Sequence, residues 1–230
     1  MLARIDLHVH TCYSSDARMG LEELLEALER HDLRAAITDH NTVEGALRLK
    51  RWAPDRIIVG EEIRTAEGEI LAYFLEEAVP PFRELEETVE LVHRQGGIVS
   101  IPHPFDPFRR HRLRTEALLR ALRLVDALEV FNARNLLRRS NLKALRMADR
   151  LKLGRSAGSD AHTLGEIGNG VTGVAADERT LDDVLEAIRK GKVAIQRENP
   201  FKLTERIAYY GVKVRDLLLH GRRYMCTEEG

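Results

Sequence analysis

The chain of 230 residues is short of cysteine, short of lysine and almost without net charge. Each shortage excludes something. The two cysteines, Cys12 and Cys226, are far apart and match no cysteine-rich metal spacing. The expectation is two free thiols in a reducing, cytoplasmic setting, with Cys12 a small semi-apolar residue beside a site. A net charge of −1 gives no global field that favours nucleic acid or a membrane surface. No apolar run approaches the roughly 20 residues that a bilayer span needs, so no membrane partner is expected. The first strand is expected within a few residues of Met1, which leaves no secretory segment ahead of it. There is no internal repeat and no low-complexity tract. Lysine supplies seven of the 36 basic residues, a bias that says nothing about function. Against these absences, 43% of residues are hydrophobic, enough for a real core. The length suits one full-sized domain or two small ones.

What is present is a strand–helix alternation. The segment Asp6-Leu7-His8-Val9-His10-Thr11 reads as a strand with Ile5, Leu7 and Val9 on one face and Asp6, His8 and His10 on the other. Two imidazoles at i and i+2 on one face can reach one metal ion. Leu21, Leu24, Leu25 and Leu28 recur at helical spacing over 20–30. Further strands are expected at 33–38, 56–59, 69–75, 98–101, 127–131, 154–158, 170–175 and 193–196. Further helices are expected at 43–52, 82–95, 115–123, 135–151, 181–190 and 201–221. Asn41 or Thr42 is placed to cap the second helix. Arg138, Arg139, Lys143 and Arg146 are expected on the wet face of the fifth. About seven strand–helix units indicate α/β architecture with a mainly parallel sheet, a little short of the ~250 residues typical of eight units.

The polar punctuation points to function. His8 and His10, His40, Glu62, His103, and Asp160 with His162 each stand at or just after the end of a predicted strand. In a parallel barrel those ends lie on one rim, where active sites form. Residues far apart in sequence would therefore converge, and five of the nine histidines sit at such positions. Glu61 and Glu62 must point opposite ways along a strand, so only one can face the rim. Asp6 is expected either to orient one of the imidazoles or to be paired elsewhere in the barrel.

Four short blocks, in order, resemble those of the PHP (polymerase and histidinol phosphatase) family. They are Asp6-Leu7-His8-Val9-His10-Thr11, Thr38-Asp39-His40-Asn41-Thr42, Pro102-His103-Pro104 and Ser159-Asp160-Ala161-His162. The match spans about residues 4 to 175. The resemblance implies a distorted (βα)7 barrel over residues 1–200, with its active site at the C-terminal ends of the strands. Residues 201–230 would then be a helical extension and tail. It also implies two or three divalent metal ions and hydrolysis of phosphoesters. Carried over by position, it places His8, His10, Glu62 and Asp160 around one ion. Glu62, chosen over Glu61 by the family's Gly-X-Glu pattern, would bridge to a second ion held by His103. Asp16, in the Ser-Asp element after the first block, would join His40 and His162 around a third. Asp160 and His162 would double as catalytic proton-handling groups. Mixed imidazole and carboxylate ligands suit Zn²⁺, Mn²⁺ or Fe²⁺ better than Mg²⁺ or Ca²⁺ alone. One departure stands out. Many relatives place a histidine after the glycine that follows this glutamate, whereas Gly68 is followed here by Glu69. The second ion site is therefore expected to be altered, weaker or empty.

Substrate contacts are read from position alone. The loop 104–114 carries Phe105, Phe108, Arg109, Arg110, His111 and Arg112 beside His103, a composition able to hold phosphate and stack a base. Arg134 follows a strand on the same rim. Arg109 and Arg134 are thus the candidate phosphate-binding residues. The leading expectation is a phosphatase acting on a small phosphorylated metabolite or nucleotide. The alternatives are an exonuclease on short RNA or DNA, and a non-catalytic regulatory metal-binding module. An amidohydrolase shares an early His-X-His, but the Ser-Asp-Ala-His block and the short chain favour the phosphoesterase. Nothing in the sequence sets the oligomeric state.

Overall fold

The computed structural model describes residues 2–175, 181–190 and 192–197. Seven strands follow one another around a barrel in chain order: β1 (Leu2–Val9), β2 (Arg34–Ile37), β3 (Ile57–Arg64), β4 (Glu69–Tyr73), β5 (Ile98–Ile101), β6 (Ala127–Asn132) and β7 (Gly154–Gly158). Two more, β8 (Gly170–Ala175) and β9 (Val193–Arg197), extend the sheet from the other edge of β1. The helices are α1 (Leu21–Arg30), α2 (Glu44–Trp52), α3 (Leu85–Arg94), α4 (Thr115–Ala121), α5 (Arg138–Leu151) and α6 (Leu181–Arg189). The helix expected over 201–221 lies outside the described residues.

Apolar alternation decides which way each strand faces. Ala35 and Ile37, Ile57 and Val59, Ile70 and Ala72, Val99 and Ile101, and Leu128 and Val130 form the layer under the helices, against Leu24 and Leu28 of α1, Leu49 of α2 and Val92 of α3. The residues between them, Ala36, Ile58, Leu71, Tyr73, Ile98 and Ala127, make a second cluster inside the barrel. Val184, Ala187 and Ile188 of α6 join this inner cluster, so α6 covers one end of the barrel. Arg138, Arg139, Lys143 and Arg146 are exposed on α5 as expected. The cap position of α2 is Val43, without a side-chain cap bond, so neither Asn41 nor Thr42 stands there as expected; Thr42 Oγ1 accepts from Glu44 N at 3.2 Å one residue ahead of it.

Two distortions separate the barrel from a regular one. The first is that β4 pairs antiparallel with both β3 and β5, whereas β1/β2, β2/β3, β5/β6 and β6/β7 are parallel. A hairpin therefore replaces one helical crossover. Thr65 N and Oγ1 both donate to Gly68 O at 2.8 Å to close it. Gly68 has φ +152°, and a Cβ there would lie 2.8 Å from Leu113 N, so only glycine fits.

The second distortion is in β1. Its pairing with β2 shifts register between Asp6 and Val9. Ile5 and Leu7 belong to the interior cluster, but Val9 belongs to the layer under the helices. The simple alternation expected from the sequence therefore breaks within the motif. The irregularity turns His8 and His10 inward and sends Asp6 away from them. Asp6 accepts from the backbone N–H of Ser159 at 2.8 Å and Gly168 at 2.9 Å. Of the two expectations for Asp6, pairing elsewhere holds. Burial pushes its pKa up to about 6, against the hydrogen bonds from Ser159, Gly168 and His8.

Closure joins β7 to β1. Asp160 N donates to His8 O at 2.8 Å, and His10 N donates to Ala161 O at 3.0 Å. The small residues of β7 let the two strands approach. A Cβ on Gly158 would stand 2.3 Å from His8 Cβ and 2.8 Å from His8 N. Gly158→Ala is expected to cost about 1–3 kcal/mol, the usual range for overpacking a core, and to displace His8. Denaturant unfolding of the variant checks this; an unchanged midpoint and slope would show that the strands can separate freely.

The expectation of two free thiols involves Cys226, which lies outside the described residues. Among the described residues, no helix is long and apolar enough to cross a membrane.

Candidate metal centre

Strand ends bring the donors together. Glu62, near the end of β3, is the hub. Its Oε2 lies 3.3 Å from His8 Nε2, 3.3 Å from His10 Nε2 and 3.3 Å from His40 Nδ1, and its Oε1 lies 3.3 Å from His103 Nε2. Its neighbour Glu61 faces the other way and accepts from Val79 N at 2.9 Å; burial pushes the Glu61 pKa up to about 7. Backbone bonds fix Glu62 itself, with Glu62 N donating to Asp39 O at 3.1 Å and Asn41 N donating to Glu62 O at 3.1 Å.

Among the described residues, three groups of donor atoms each fall within 4.8 Å of one another: His8, His10 and Glu62; Glu62, Glu69 and His103; and His10, His40 and His162. Asp160 Oδ1 stands 3.7 Å from His10 Nε2 and 3.9 Å from His8 Nε2. Asp16 spans the third group, with Oδ1 3.5 Å from His40 Nε2 and Oδ2 3.2 Å from His162 Nε2. All eight residues expected as ligands therefore converge. In the second group Glu69 stands with Glu62 and His103. His10 takes part in two groups.

The geometry fits divalent cations. Ligands about 2.0–2.1 Å from a tetrahedral ion stand roughly 3.3–3.4 Å apart, the spacing seen around Glu62. The buried His10 Nε2 makes no hydrogen bond despite its carboxylate neighbour; nor does the buried His103 Nδ1. Charge also fits. Although burial opposes it, His8 and His40 hold Glu62 well below the usual carboxylate range. Against the same penalty, Arg109, His8 and Arg134 hold Asp160 well below it. Conversely, with burial again opposing, Glu62 and Asp16 raise the His40 pKa to about 9. Burial, His10 and Arg134 push His162 down to about 3. His103 (φ 31°) and Asp160 (φ 56°) both adopt the left-handed region, where strained functional residues cluster.

A further layer of polar residues aims these donors, and the sequence reading missed most of it. Glu129 on β6 receives His8 Nδ1 at 2.9 Å, the backbone N–H of His103 at 2.6 Å and Asn132 Nδ2 at 3.0 Å. Asp39 accepts from Thr11 N at 2.7 Å, Thr11 Oγ1 at 2.6 Å and Ser14 Oγ at 2.6 Å, while Ser14 Oγ meets His10 Nδ1 at 3.1 Å. Such partners fix which ring nitrogen faces the ion. A signal was available for Glu129: it is an acidic residue in the middle of a buried strand whose other residues before Asn132 are apolar.

Arg109 and Arg134, the expected phosphate-binding pair, both reach Asp160. Arg109 Nη2 donates to Asp160 Oδ2. Arg134 Nη1 is 3.7 Å from Asp160 Oδ1 and meets His162 Nδ1 at 2.6 Å. Phe108 and Arg110 on the 104–114 loop are exposed. His111 is exposed too, and its backbone O accepts from Glu69 N at 2.9 Å.

The chain is 36% identical over 170 residues to an uncharacterized protein of Methanocaldococcus jannaschii, spanning 72% of this chain and 68% of that one. A family model described as PHP-associated matches residues 138–193. Among solved structures, one similar chain is a two-domain protein from Bacteroides vulgatus containing a predicted PHP-like metal-dependent phosphoesterase. It aligns with TM-score 0.72 at 19% identity, over 93% of this chain and 70% of that one. PsfC from Pseudomonas syringae aligns with TM-score 0.67 at 19% identity, over 95% of this chain and 99% of that one. At such identities the structures speak for the fold.

Proposed function

The chain belongs to the PHP family of metal-dependent phosphoesterases, and on that premise we propose that it is a phosphatase acting on a small phosphorylated metabolite or nucleotide. The observation that carries the proposal is Glu62, one buried carboxylate with four imidazole nitrogens at 3.3 Å. His8, His10, Glu62 and Asp160 would hold one ion, Glu62, Glu69 and His103 a second, and Asp16, His40 and His162 a third. Divalent ions in these places supply positive charge to an anionic phosphoryl group and make water acidic enough to attack it near neutral pH.

The chain's own residues do the rest. Arg109 and Arg134 present guanidinium forks at Asp160, where planar groups suit phosphate oxygens bidentately. Asp160 and His162 would be ligands first, and would also serve as the groups that pass on the proton of the attacking water. Phe108 and Arg110 are exposed on the loop that carries Arg109, suited to the organic part of a phosphate monoester.

Purified protein supplied with Mn²⁺ or Zn²⁺ is expected to release inorganic phosphate from small monoesters. From end-labelled oligonucleotides of several lengths it should remove only the terminal phosphate. Stepwise shortening of those strands would replace this reading with the exonuclease. Silence across the whole panel would favour a regulatory metal-binding module.

A further inference from the structure

The three donor groups differ in chemistry. One offers the imidazoles of His10, His40 and His162 with the Asp16 carboxylate; another offers those of His8 and His10 with the carboxylates of Glu62 and Asp160. Glu62, Glu69 and His103 offer two carboxylates and one imidazole. Glu69 opens β4, paired with Arg64, while Glu62 pairs with Leu71, so Glu69 and Glu62 share the inward face two residues apart along the hairpin. The Glu69 side chain is 12% exposed, with Arg64 Nη1 3.3 Å from its Oε1. A carboxylate has about four lone-pair sites, so this contact leaves it able to bind an ion as well. From the opposite side, His103 Nε2 lies 3.3 Å from Glu62 Oε1, and the buried His103 Nδ1 has no hydrogen-bond partner.

Donor type selects among divalent ions. Carboxylate oxygens suit Mg²⁺ and Mn²⁺, whereas imidazole-rich sets suit Zn²⁺. We propose that Glu69 makes the Glu62–Glu69–His103 cluster, where carboxylates outnumber imidazoles, a hard-cation site that favours Mn²⁺, relative to Zn²⁺, more than the other two clusters do. The chain would then carry a mixed-metal centre. This rests on the reading that the clusters hold metal ions, and it is independent of the substrate. Because Zn²⁺ binds a given site more tightly than Mn²⁺, the selectivity is a ratio and is measured as one.

The test uses the full chain, stripped with a chelator and equilibrated against fixed free concentrations of both ions, with Mn²⁺ in excess. Elemental analysis counts each metal per chain, and electron paramagnetic resonance reports bound Mn²⁺. The wild type is expected to retain manganese alongside zinc. In Glu69→His the bound Mn:Zn ratio should fall by at least about tenfold, the lower end of what losing even a supporting partner costs a metal site, with zinc taking the place. Glu69→Gln should lose manganese without gaining zinc. A wild-type ratio in Glu69→His, or a wild type that takes zinc alone, would overturn the proposal. Should the variants fail to fold, anomalous scattering from manganese in wild-type crystals decides: density beside Glu69 supports the proposal, and manganese confined to the other clusters sinks it. Phosphate release is scored separately, so an inactive protein with the expected metal ratios removes the phosphatase reading and leaves this one standing.

Discussion

Asp160→Asn is expected to abolish phosphate release while the chain still folds, with kcat/KM falling by roughly 10³-fold. The substitution keeps shape and removes one negative charge. That charge stands 3.7 Å from His10 Nε2 and 3.9 Å from His8 Nε2, so its loss weakens the most enclosed ion site. Charge stabilisation by such ions supplies several kcal/mol, and each 1.36 kcal/mol is tenfold in rate. The same charge also positions Arg109 and Arg134. Breaking a buried ion pair from one side costs up to about 3–5 kcal/mol. The cost here should lie at the low end, because Arg134 keeps Glu166 at 3.5 Å and Arg109 keeps Asp106 at 3.8 Å. His8→Ala should give the same loss of activity by removing a donor directly. The measurements are kcat/KM on the best monoester, metal per chain, and a melting curve. Wild-type activity in the Asp160→Asn protein would remove the whole proposed site.

Much of this centre is legible in the amino-acid sequence. Polar residues at the ends of apolar strands are visible in sequence because the strand signal is strong and barrel topology then fixes where those ends meet. For that reason His40, His103 and Asp160 could be placed on one rim from spacing alone. What could not be read was anything that depends on register. Period two alone assigns Asp6 to the face of His8 and His10, and the irregularity after Asp6 reverses that assignment. No residue in β1 announces it, since the shift lies in the pairing with β2. The same holds for Glu69. Its entry into the second cluster needs the hairpin, which sets β4 beside β3 and brings Glu69 diagonally past Glu62. Glu129 escaped for a different reason: it contributes to the centre by holding other residues, and a supporting role leaves no spacing of its own in the sequence. The covering of the barrel end by α6 was likewise not foreseen, because an amphipathic helix does not say which apolar surface it will meet.

Glu129→Gln is the second large expected effect, and its size comes from the mismatch between one amide and three donors. Glu129 faces His8 Nδ1, the His103 N–H and the Asn132 side-chain amide nitrogen, at 2.9, 2.6 and 3.0 Å. A carboxylate accepts from all of them. Glutamine presents one oxygen and one NH₂ group, so one side must meet donor against donor. Turned toward His103 and Asn132, the NH₂ leaves a buried backbone N–H unsatisfied, at about 1–3 kcal/mol. Turned toward His8, it is accommodated only if Nδ1 becomes an acceptor. The His8 proton then moves to Nε2, the atom that faces Glu62 at 3.3 Å, and that nitrogen can no longer bind a metal ion. Either way the isosteric change reaches the centre without touching a donor atom. Metal affinity should fall about 10–100-fold, the usual cost of losing a partner behind a ligand, with the chain still folded. Chelator competition measures the affinity, and nitrogen-15 shifts of the His8 ring report the tautomer directly. An affinity within twofold of wild type, with His8 still protonated at Nδ1, would show that Glu129 does not position this histidine.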